Sequence, residues 1–240
     1  MVVFRMMKMH YLFLIVITSF LSNSAMAGEP VKESQSWYGY YMGVSYGTVN
    51  VNDEYEEWNS ADNALTNYTY VLADDSSAES LFFGYNSDYL GSNILLGAEF
   101  SVELRDLDKT VYDLLSGSIS TAFETSYKSD WSMSLTPRIG YFWTPNLLLY
   151  ASLGYTLTDT ERVYIITASN ISDVSKQNIK GWTSGLGVEY GLSKNLNMRI
   201  DYKKTNYEDY AHVATIYGGN IQKTRNYQDS GVRLSFVYRF

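Results

Sequence analysis

Cysteine is absent from the sequence, and proline and histidine are scarce, with three and two residues among 240. Without cysteine there is no disulfide, no thiolate metal ligand, no thiol nucleophile and no lipid-modified amino-terminal cysteine. Beyond residue 27, no segment approaches the roughly 18 consecutive apolar residues of a helical membrane span. The chain must therefore be stabilised by a packed core or by a closed network of backbone hydrogen bonds.

Positive charge is also in short supply. The sequence has 18 Lys and Arg against 26 Asp and Glu, which gives a net charge of −8. Such a chain repels phosphate backbones, so nucleic-acid binding is excluded as a function class. Aromatic residues are abundant in contrast, at 16% with 23 tyrosines. That composition favours β-strands.

The first 27 residues have the three parts of a secretory signal peptide. Arg5 and Lys8 supply positive charge, residues 11–21 form an apolar stretch, and Ala25-Met26-Ala27 matches the small-x-small cleavage pattern. A membrane anchor is the alternative, but the apolar stretch is shorter than the ~20 residues that a spanning helix needs. We predict a signal peptide over residues 1–27, a short periplasmic segment over 28–36 and one domain over 37–240.

The last ten residues show the strand pattern of the domain most clearly. Apolar or aromatic side chains occupy every second position: Val232, Leu234, Phe236, Tyr238 and Phe240. A period of two belongs to a β-strand with one apolar and one mostly polar face. A strand that ends on an aromatic residue resembles the carboxy-terminal signature of bacterial outer-membrane barrels. By that resemblance, Phe236, Tyr238 and Phe240 form the assembly signal that the barrel assembly machinery reads.

Seven further segments alternate in the same way, and the connections between them differ in length. The segments cover about 37–49, 78–86, 92–104, 130–143, 147–158, 180–191 and 195–206. Each is near the ~9–11 residues with which a tilted strand crosses a bilayer. Three connections are short and turn-like, and four are long, covering about 50–77, 105–129, 159–179 and 207–228.

Short turns on one side and long connections on the other are typical of barrels in the outer membrane, with the turns in the periplasm. The pattern therefore predicts an all-β protein, an eight-stranded antiparallel up-and-down transmembrane β-barrel. A ten-stranded barrel is the alternative, if residues 66–72 or 119–127 form a further hairpin.

The two faces of the predicted strands carry different residues. The apolar faces place tyrosines at one depth, which predicts an aromatic girdle at one membrane interface made of Tyr40, Tyr85, Tyr141, Tyr190 and Tyr238. The opposite faces carry the charges: Glu99, Arg138, Glu189, Arg199, Asp201, Lys203, Arg233 and Arg239.

The interior of an eight-stranded barrel is narrow, so charges buried there must be paired. We predict a lumen network in which Glu99 and Glu189 meet Arg138, Arg199 or Arg233. We interpret this network as a structural plug rather than as an ion path.

Residues suited to catalysis or cofactor binding are scarce. His10 lies in the predicted signal peptide, which leaves His212 alone in a long connection. A single histidine cannot build a two-histidine metal site or a Cys/His pair. We therefore predict no enzymatic activity, no catalytic residue, no cofactor and no metal site.

Two long connections have unusual charge. Residues 50–77 contain seven Asp and Glu and no Lys or Arg. They suit either Ca²⁺ or plain solvation, and the lack of EF-hand spacing favours solvation. The last connection carries four basic residues near its ends that are candidate contacts for lipopolysaccharide phosphates: Lys203, Lys204, Lys223 and Arg225.

The sequence of residues 181–207, GWTSGLGVEYGLSKNLNMRIDYKKTNY, resembles the G-W-x-x-G-x-G-x-E-Y … N-x-x-x-R-x-[ED]-Y hairpin of the opacity-type surface-antigen barrels. Residues 37–46, 82–86, 97–99, 138–141 and 231–240 also fit that family. The resemblance covers all eight strands and none of the four long connections. Thr136 departs from it, since many relatives carry a second arginine there.

The resemblance implies a location in the bacterial outer membrane, in contact with lipid and lipopolysaccharide, and no periplasmic domain after the barrel. It also implies a structural surface protein that displays four extracellular loops, an adhesin or surface antigen that contacts a host surface molecule. A small porin-like channel for ions or solutes is the first alternative, and a lipid-modifying enzyme is the second.

Overall fold

The computed structural model describes residues 37–59, 64–89, 93–114, 122–166, 171–208, 212–216 and 219–240. The predicted signal peptide and the segment 28–36 lie outside these residues. No helix in the described ranges is long and apolar enough to span a membrane.

The described chain is almost entirely β-strand. Its strands are β1 (Gly39–Asn59), β2 (Ala64–Asp88), β3 (Ile94–Leu114), β4 (Ala122–Thr144), β5 (Leu147–Ile166), β6 (Ile171–Gly191), β7 (Leu196–Tyr207), β8 (His212–Ile216) and β9 (Gly219–Arg239). Neighbouring strands pair antiparallel, and β1 also pairs with β9, which closes the sheet. Since β8 pairs with β9 alone, the barrel has eight strands, and the predicted fold class is confirmed.

The strands are longer than the sequence predicted. Residues 66–72 lie within β2 and residues 122–127 within β4, so they extend existing strands and do not add a pair to the barrel. The four segments predicted as long connections are therefore largely strand, and that part of the prediction was wrong. Alternation marks a strand only where its two faces meet different surroundings, whereas backbone ladders continue regardless of side-chain polarity.

The barrel has two distinct ends. The connections β2–β3, β4–β5 and β6–β7 lie at the same end as Trp37 and Phe240, and we call it the short-turn end. The other end carries the extended pairs β1–β2, β3–β4, β5–β6 and β8–β9, and we call it the long-hairpin end.

The apolar surface of the barrel lies outside, and the polar residues lie inside. The outward side chains of Leu81, Leu135 and Leu186 are 55%, 57% and 66% exposed. The inward residues Glu99 and Arg138 are buried instead. This distribution is the reverse of that in a water-soluble barrel.

Two glycines make room for large rings in the interior. Tyr41 pairs with Gly84 across β1 and β2, and Tyr150 pairs with Gly187 across β5 and β6. A Cβ atom at Gly84 would collide with the Tyr41 ring, and one at Gly187 would lie 2.5 Å from the Tyr150 ring. Each ring therefore packs over a glycine of the neighbouring strand.

Candidate functional site

The interior of the barrel at the short-turn end is closed by apolar side chains. Trp37, Leu95 and Leu148 are buried together, and Phe142 packs against them. The Trp37 indole Nε1 donates a hydrogen bond to the Pro145 carbonyl at 2.9 Å, which fixes the ring across the lumen. Water therefore meets a packed apolar layer at this end.

The next layer inward is charged and centred on Glu189, which has no exposed surface. Its Oε2 lies 3.1 Å from Arg138 Nη2 and 3.2 Å from Arg199 Nη2. Its Oε1 accepts hydrogen bonds from Arg239 and, at 2.7 Å, from Asn197 Nδ2. One carboxylate thus bridges guanidinium groups from β4, β7 and β9 across the lumen.

Glu99 on β3 is the second carboxylate of this layer. Its Oε2 accepts hydrogen bonds from Arg199 Nη1 at 2.6 Å and from the Tyr41 hydroxyl at 3.1 Å. Arg138 Nη1 and Lys203 Nζ each lie 3.8 Å from one of its oxygens. We call Glu99, Glu189, Arg138, Arg199 and Arg239 the first charged layer.

Aromatic rings separate the guanidinium groups of the first charged layer. Arg138 lies 4.5 Å from the centre of the Tyr150 ring, Arg199 lies 4.8 Å from that of Phe82, and Arg239 lies 5.0 Å from that of Trp37. Such contacts attract a cation to the ring face when water is excluded. They offset part of the repulsion between three arginines gathered around two glutamates.

Hydroxyl groups line the lumen wall from β4 to β7. Thr205 and Thr183 lie 2.9 Å apart through their Oγ1 atoms, Thr183 contacts Thr156, and Thr156 lies 2.7 Å from Ser134 Oγ. Short hydroxyl side chains satisfy one another here without the desolvation cost of further charges.

A second charged layer lies closer to the long-hairpin end. Glu103 accepts hydrogen bonds from Arg105 Nε at 2.9 Å and from Arg233 Nε at 2.7 Å. Asp229 accepts hydrogen bonds from Arg105 Nη1 and from the Tyr207 hydroxyl, both at 2.7 Å. These two acids and two arginines, which we call the second charged layer, are all buried and balance each other in charge.

Apolar and aromatic residues close the lumen above this layer. The cluster consists of Val49, Val51, Ala78, Leu107, Tyr127, Ile179, Tyr207 and Tyr227. The Tyr127 and Tyr227 hydroxyls lie 2.6 Å apart, so even the polar atoms of the cluster are paired. The lumen is thus filled by an apolar layer, two charged layers with hydroxyls on the wall, and a second apolar layer.

The structure brings together most of the residues that the sequence placed in the lumen. Glu99 and Glu189 both meet Arg138 and Arg199, whereas Arg233 contacts Glu103. Of the three arginines that the sequence offered as alternatives, Arg233 does not contact Glu99 or Glu189, because it lies nearer the long-hairpin end than either of them.

Asp201 also faces inward and is buried. Its Oδ1 has no hydrogen-bond partner among the described residues, and the same is true of Nη1 of Arg233, which pairs with Asp201 across β7 and β9. The two groups face the same stretch of lumen, between the two charged layers.

The second charged layer was largely missed from the sequence. Arg105 falls in a segment predicted as a connection, and Glu103 and Asp229 stand at predicted strand ends. The same period of two that runs through Glu99 and Ser101 continues to Glu103 and Arg105. If the alternation of inward and outward residues is extended beyond the apolar segment, it predicts that Glu103 and Arg105 face the lumen.

The five predicted girdle tyrosines lie on the outer surface near the short-turn end. Tyr40, Tyr85, Tyr141 and Tyr190 are each close to half exposed, and Tyr238 is half-buried. The Tyr40 and Tyr85 ring centres lie 4.9 Å apart, since these residues pair across β1 and β2. Their role at a membrane interface stays a prediction.

The residues of the predicted assembly signal lie on the outer face of β9 or just after it. Phe236 and Tyr238 are half-buried, and Phe240 is 68% exposed. The Phe240 amide donates a hydrogen bond to the Tyr40 carbonyl at 3.2 Å, so the chain end is attached to β1.

The remaining candidates concern metal binding, the acidic residues 50–77, His212 and the basic residues proposed to contact lipopolysaccharide. Within the described ranges, no group of three or more His, Asp or Glu could hold a metal ion. The side chains of residues 53–74, and those of His212, Lys223 and Arg225, lie outside the described part. Lys203 points toward Glu99 in the lumen and is therefore not placed for a lipopolysaccharide contact.

Two ion pairs lie on the outer face at the long-hairpin end. Lys128 Nζ lies 2.8 Å from Asp108 Oδ2, and Lys176 Nζ lies 3.1 Å from Glu161 Oε2. The hydrogen bond with Asp108 raises the pKa of Lys128 above its ordinary value. Both pairs are largely exposed, so each contributes at most about 1 kcal/mol to stability.

Comparisons with known proteins agree with this architecture. A family model described as the outer membrane protein beta-barrel domain matches residues 13–240. The chain is 28% identical over 211 residues to a 22 kDa outer membrane protein of Rhizobium leguminosarum bv. viciae, covering 88% of this chain and 82% of the relative. It is 24% identical over 221 residues to a 31 kDa outer-membrane immunogenic protein of Brucella melitensis biotype 1, covering 90% and 89%.

The fold is similar to that of a solved outer-membrane protein. The crystal structure of OprG from Pseudomonas aeruginosa covers 86% of this chain and 98% of its own, with a TM-score of 0.53 and 15% sequence identity. At that identity the likeness concerns the fold alone.

Proposed function

We propose a display role for this chain, which belongs to the outer membrane protein beta-barrel domain family and lies in the bacterial outer membrane. The barrel anchors the protein in the membrane and does not conduct ions. The long-hairpin end is the surface that contacts binding partners. By the rule for such barrels, the short-turn end faces the periplasm and the long-hairpin end faces the outside. The C-terminal strand β9, with Phe236, Tyr238 and Phe240, is the segment that the assembly machinery reads.

The observation that carries the proposal is the filling of the lumen. Two charged layers, whose acids are bound to arginines from other strands, lie between two apolar layers. A path for ions would require that buried salt bridges separate, and breaking one partner out of such a pair costs about 3–5 kcal/mol. The closed interior favours anchoring over transport.

A surface-antigen role fits the relatives and the exposed strands. The Brucella relative is described as immunogenic. In the present chain, the long-hairpin end is the part that an antibody or a host surface molecule would meet from outside.

Single-channel recording on refolded protein in planar bilayers tests the proposal. We expect no discrete conductance steps from the wild-type protein, whereas a large-pore porin refolded in the same lipid gives steps. A triple variant, Trp37→Gly, Leu95→Gly and Leu148→Gly, opens only the apolar layer at the short-turn end and is expected to stay closed, since both charged layers remain. Regular conductance steps from the wild-type protein would contradict the display role and indicate transport.

A further inference from the structure

Three buried polar groups in the lumen, between the two charged layers, have no hydrogen-bond partner in the described part of the chain. They are the Tyr150 hydroxyl, Oδ1 of Asp201 and Nη1 of Arg233. Each of these residues is less than one-tenth exposed, so solvent outside the barrel does not satisfy them. Buried polar groups are otherwise bonded to protein or to ordered water, because burial removes their hydration. We call these three residues the interlayer site.

The interlayer site lies in one row across four neighbouring strands. Tyr150 on β5 pairs with Gly187 on β6, and Gly187 pairs with Asp201 on β7. Asp201 in turn pairs with Arg233 on β9. Neighbouring strands lie about 4.8 Å apart, so the backbones at Tyr150 and Asp201 are separated by roughly 10 Å. Three side chains on one row therefore face the same stretch of lumen.

Gly187 lets the Tyr150 hydroxyl approach Asp201. The Tyr150 ring packs over this glycine, and a Cβ atom there would lie 2.5 Å from the phenolic oxygen. The hydroxyl therefore extends across β6 toward β7, where Asp201 is the next residue of the row. The charge of Asp201 acts on both the Tyr150 hydroxyl and the Arg233 guanidinium. The three unpaired groups are thus neighbours in the lumen.

Side chains leave room beside the interlayer site. Lys203, the next inward residue of β7, has its Nζ 3.8 Å from Glu99 Oε1, and 18% of its side-chain surface stays accessible. Ser152, the next inward residue of β5, is only half-buried. Apolar layers close the lumen at both ends. The accessible surface of Lys203 and Ser152 therefore borders space inside the barrel.

The hydrogen-bonding chemistry of the three groups selects water as the occupant of this space. Arg233 Nη1 can only donate, an ionised Asp201 can only accept, and the Tyr150 hydroxyl can do either. Water both accepts and donates, and a buried water typically makes about three such bonds. A halide ion would stand against the Asp201 carboxylate, and a metal cation would stand against the Arg233 guanidinium.

We propose that the interlayer site binds ordered water, which accepts a hydrogen bond from Arg233 Nη1, donates one to Asp201 Oδ1 and bonds to the Tyr150 hydroxyl. The inference concerns the interior of the barrel, goes beyond the proposed display role and does not depend on it. Each of the three buried groups thereby gains the partner that the protein itself does not supply.

Water at the interlayer site connects the two charged layers. The Tyr150 ring contacts Arg138 of the first charged layer, with 4.5 Å between the guanidinium carbon and the ring centre. Arg233 donates a hydrogen bond to Glu103 of the second charged layer at 2.7 Å. Water between Tyr150 and Arg233 therefore makes one network out of two, and it links β5, β7 and β9 through their side chains.

Diffraction from crystals of the full chain, at a resolution that shows ordered water, tests the site directly. We expect a density peak within about 3.2 Å of both Asp201 Oδ1 and Arg233 Nη1. Crystals soaked in sodium bromide distinguish water from an anion, because bromide gives an anomalous signal. We expect no anomalous peak at this position.

Oxygen-17 relaxation dispersion of water tests the site in solution, with the refolded full chain in detergent micelles. Asp201→Leu replaces the acceptor with an apolar side chain, and we expect it to lower the signal of long-lived internal water. Tyr150→Phe keeps the ring over Gly187 and removes one partner, so it should also lower that signal. Tyr202→Phe is the matched control, since it removes a hydroxyl from the outer face, and the signal should not change.

Three results would overturn the proposal. Asp201 and Arg233 form a direct ion pair in the crystal with no density peak beside them, a bromide peak occupies the site, or both interlayer variants keep the wild-type dispersion. If a variant does not fold, the crystals of the wild-type chain decide. None of these results touches the display role, which fails only if the wild-type barrel conducts.

Discussion

Glu189 shows how one buried residue organises the barrel interior. It has no exposed surface and accepts from three arginines on three different strands. Two of those strands are not neighbours of β6 in the sheet, so the residue ties the wall together across the lumen. Arg138 and Arg239 are distant from Glu189 in the sequence, and closure of the barrel brings them to it.

We expect Glu189→Gln to destabilise the folded barrel by about 3–5 kcal/mol, since it leaves arginines buried without their counter-charge. The measurement is the free energy of unfolding in urea, for protein refolded into lipid vesicles. Glu161→Gln is the matched control, because its ion pair with Lys176 lies at the protein surface. Its cost should stay near or below about 1 kcal/mol, and equal losses in the two variants would show that the arginine contacts of Glu189 add nothing.

At the scale of single elements, β4 contains an irregularity that a side chain supports. The register between β4 and β5 shifts between Lys128 and Ser132. There, Asp159 Oδ1 accepts the backbone N–H groups of Asp130 at 3.1 Å and Trp131 at 2.8 Å. The carboxylate thus satisfies two donors that the shifted ladder leaves without a carbonyl partner.

Asp159→Ala should cost about 1–3 kcal/mol, since two backbone donors then lack their acceptor. Asp159→Asn should cost less, because its amide oxygen can still accept. Hydrogen exchange read by mass spectrometry on the peptide that spans residues 128–132 is expected to speed up in the alanine variant. Unchanged exchange there would mean that water replaces the carboxylate without loss.

The elements also show where sequence reasoning succeeds and where it stops. Around Leu135 and Arg138, one face of β4 meets lipid and the other meets the lumen. The alternation of apolar and polar residues therefore predicted the strand and both of its faces. Around Arg105 and Tyr127 that contrast is lost, although the ladder between β3 and β4 continues, and the segment was predicted as a connection. Pairing over long sequence separations, such as Arg233 with Glu103, depends on the stagger of the closed barrel and not on spacing.

At the scale of the whole molecule, the export of the chain gives a prediction about its mature form. Residues 1–27 are proposed to be a signal peptide, followed by a periplasmic segment over 28–36. Amino-terminal sequencing of protein from the outer-membrane fraction is expected to begin at Gly28. Recovery of Met1 from that fraction would point to a retained anchor.

The account of the whole molecule rests on an inverted barrel, with apolar side chains against lipid and charges inside. Spin-label scanning along β4 tests it directly, because the chain has no native cysteine. Labels at Met133, Leu135 and Ile139 should collide with oxygen dissolved in the bilayer, whereas labels at Ser132 and Thr136 should not. Oxygen contact that is equal at all five positions, or strongest at Ser132 and Thr136, would contradict the arrangement.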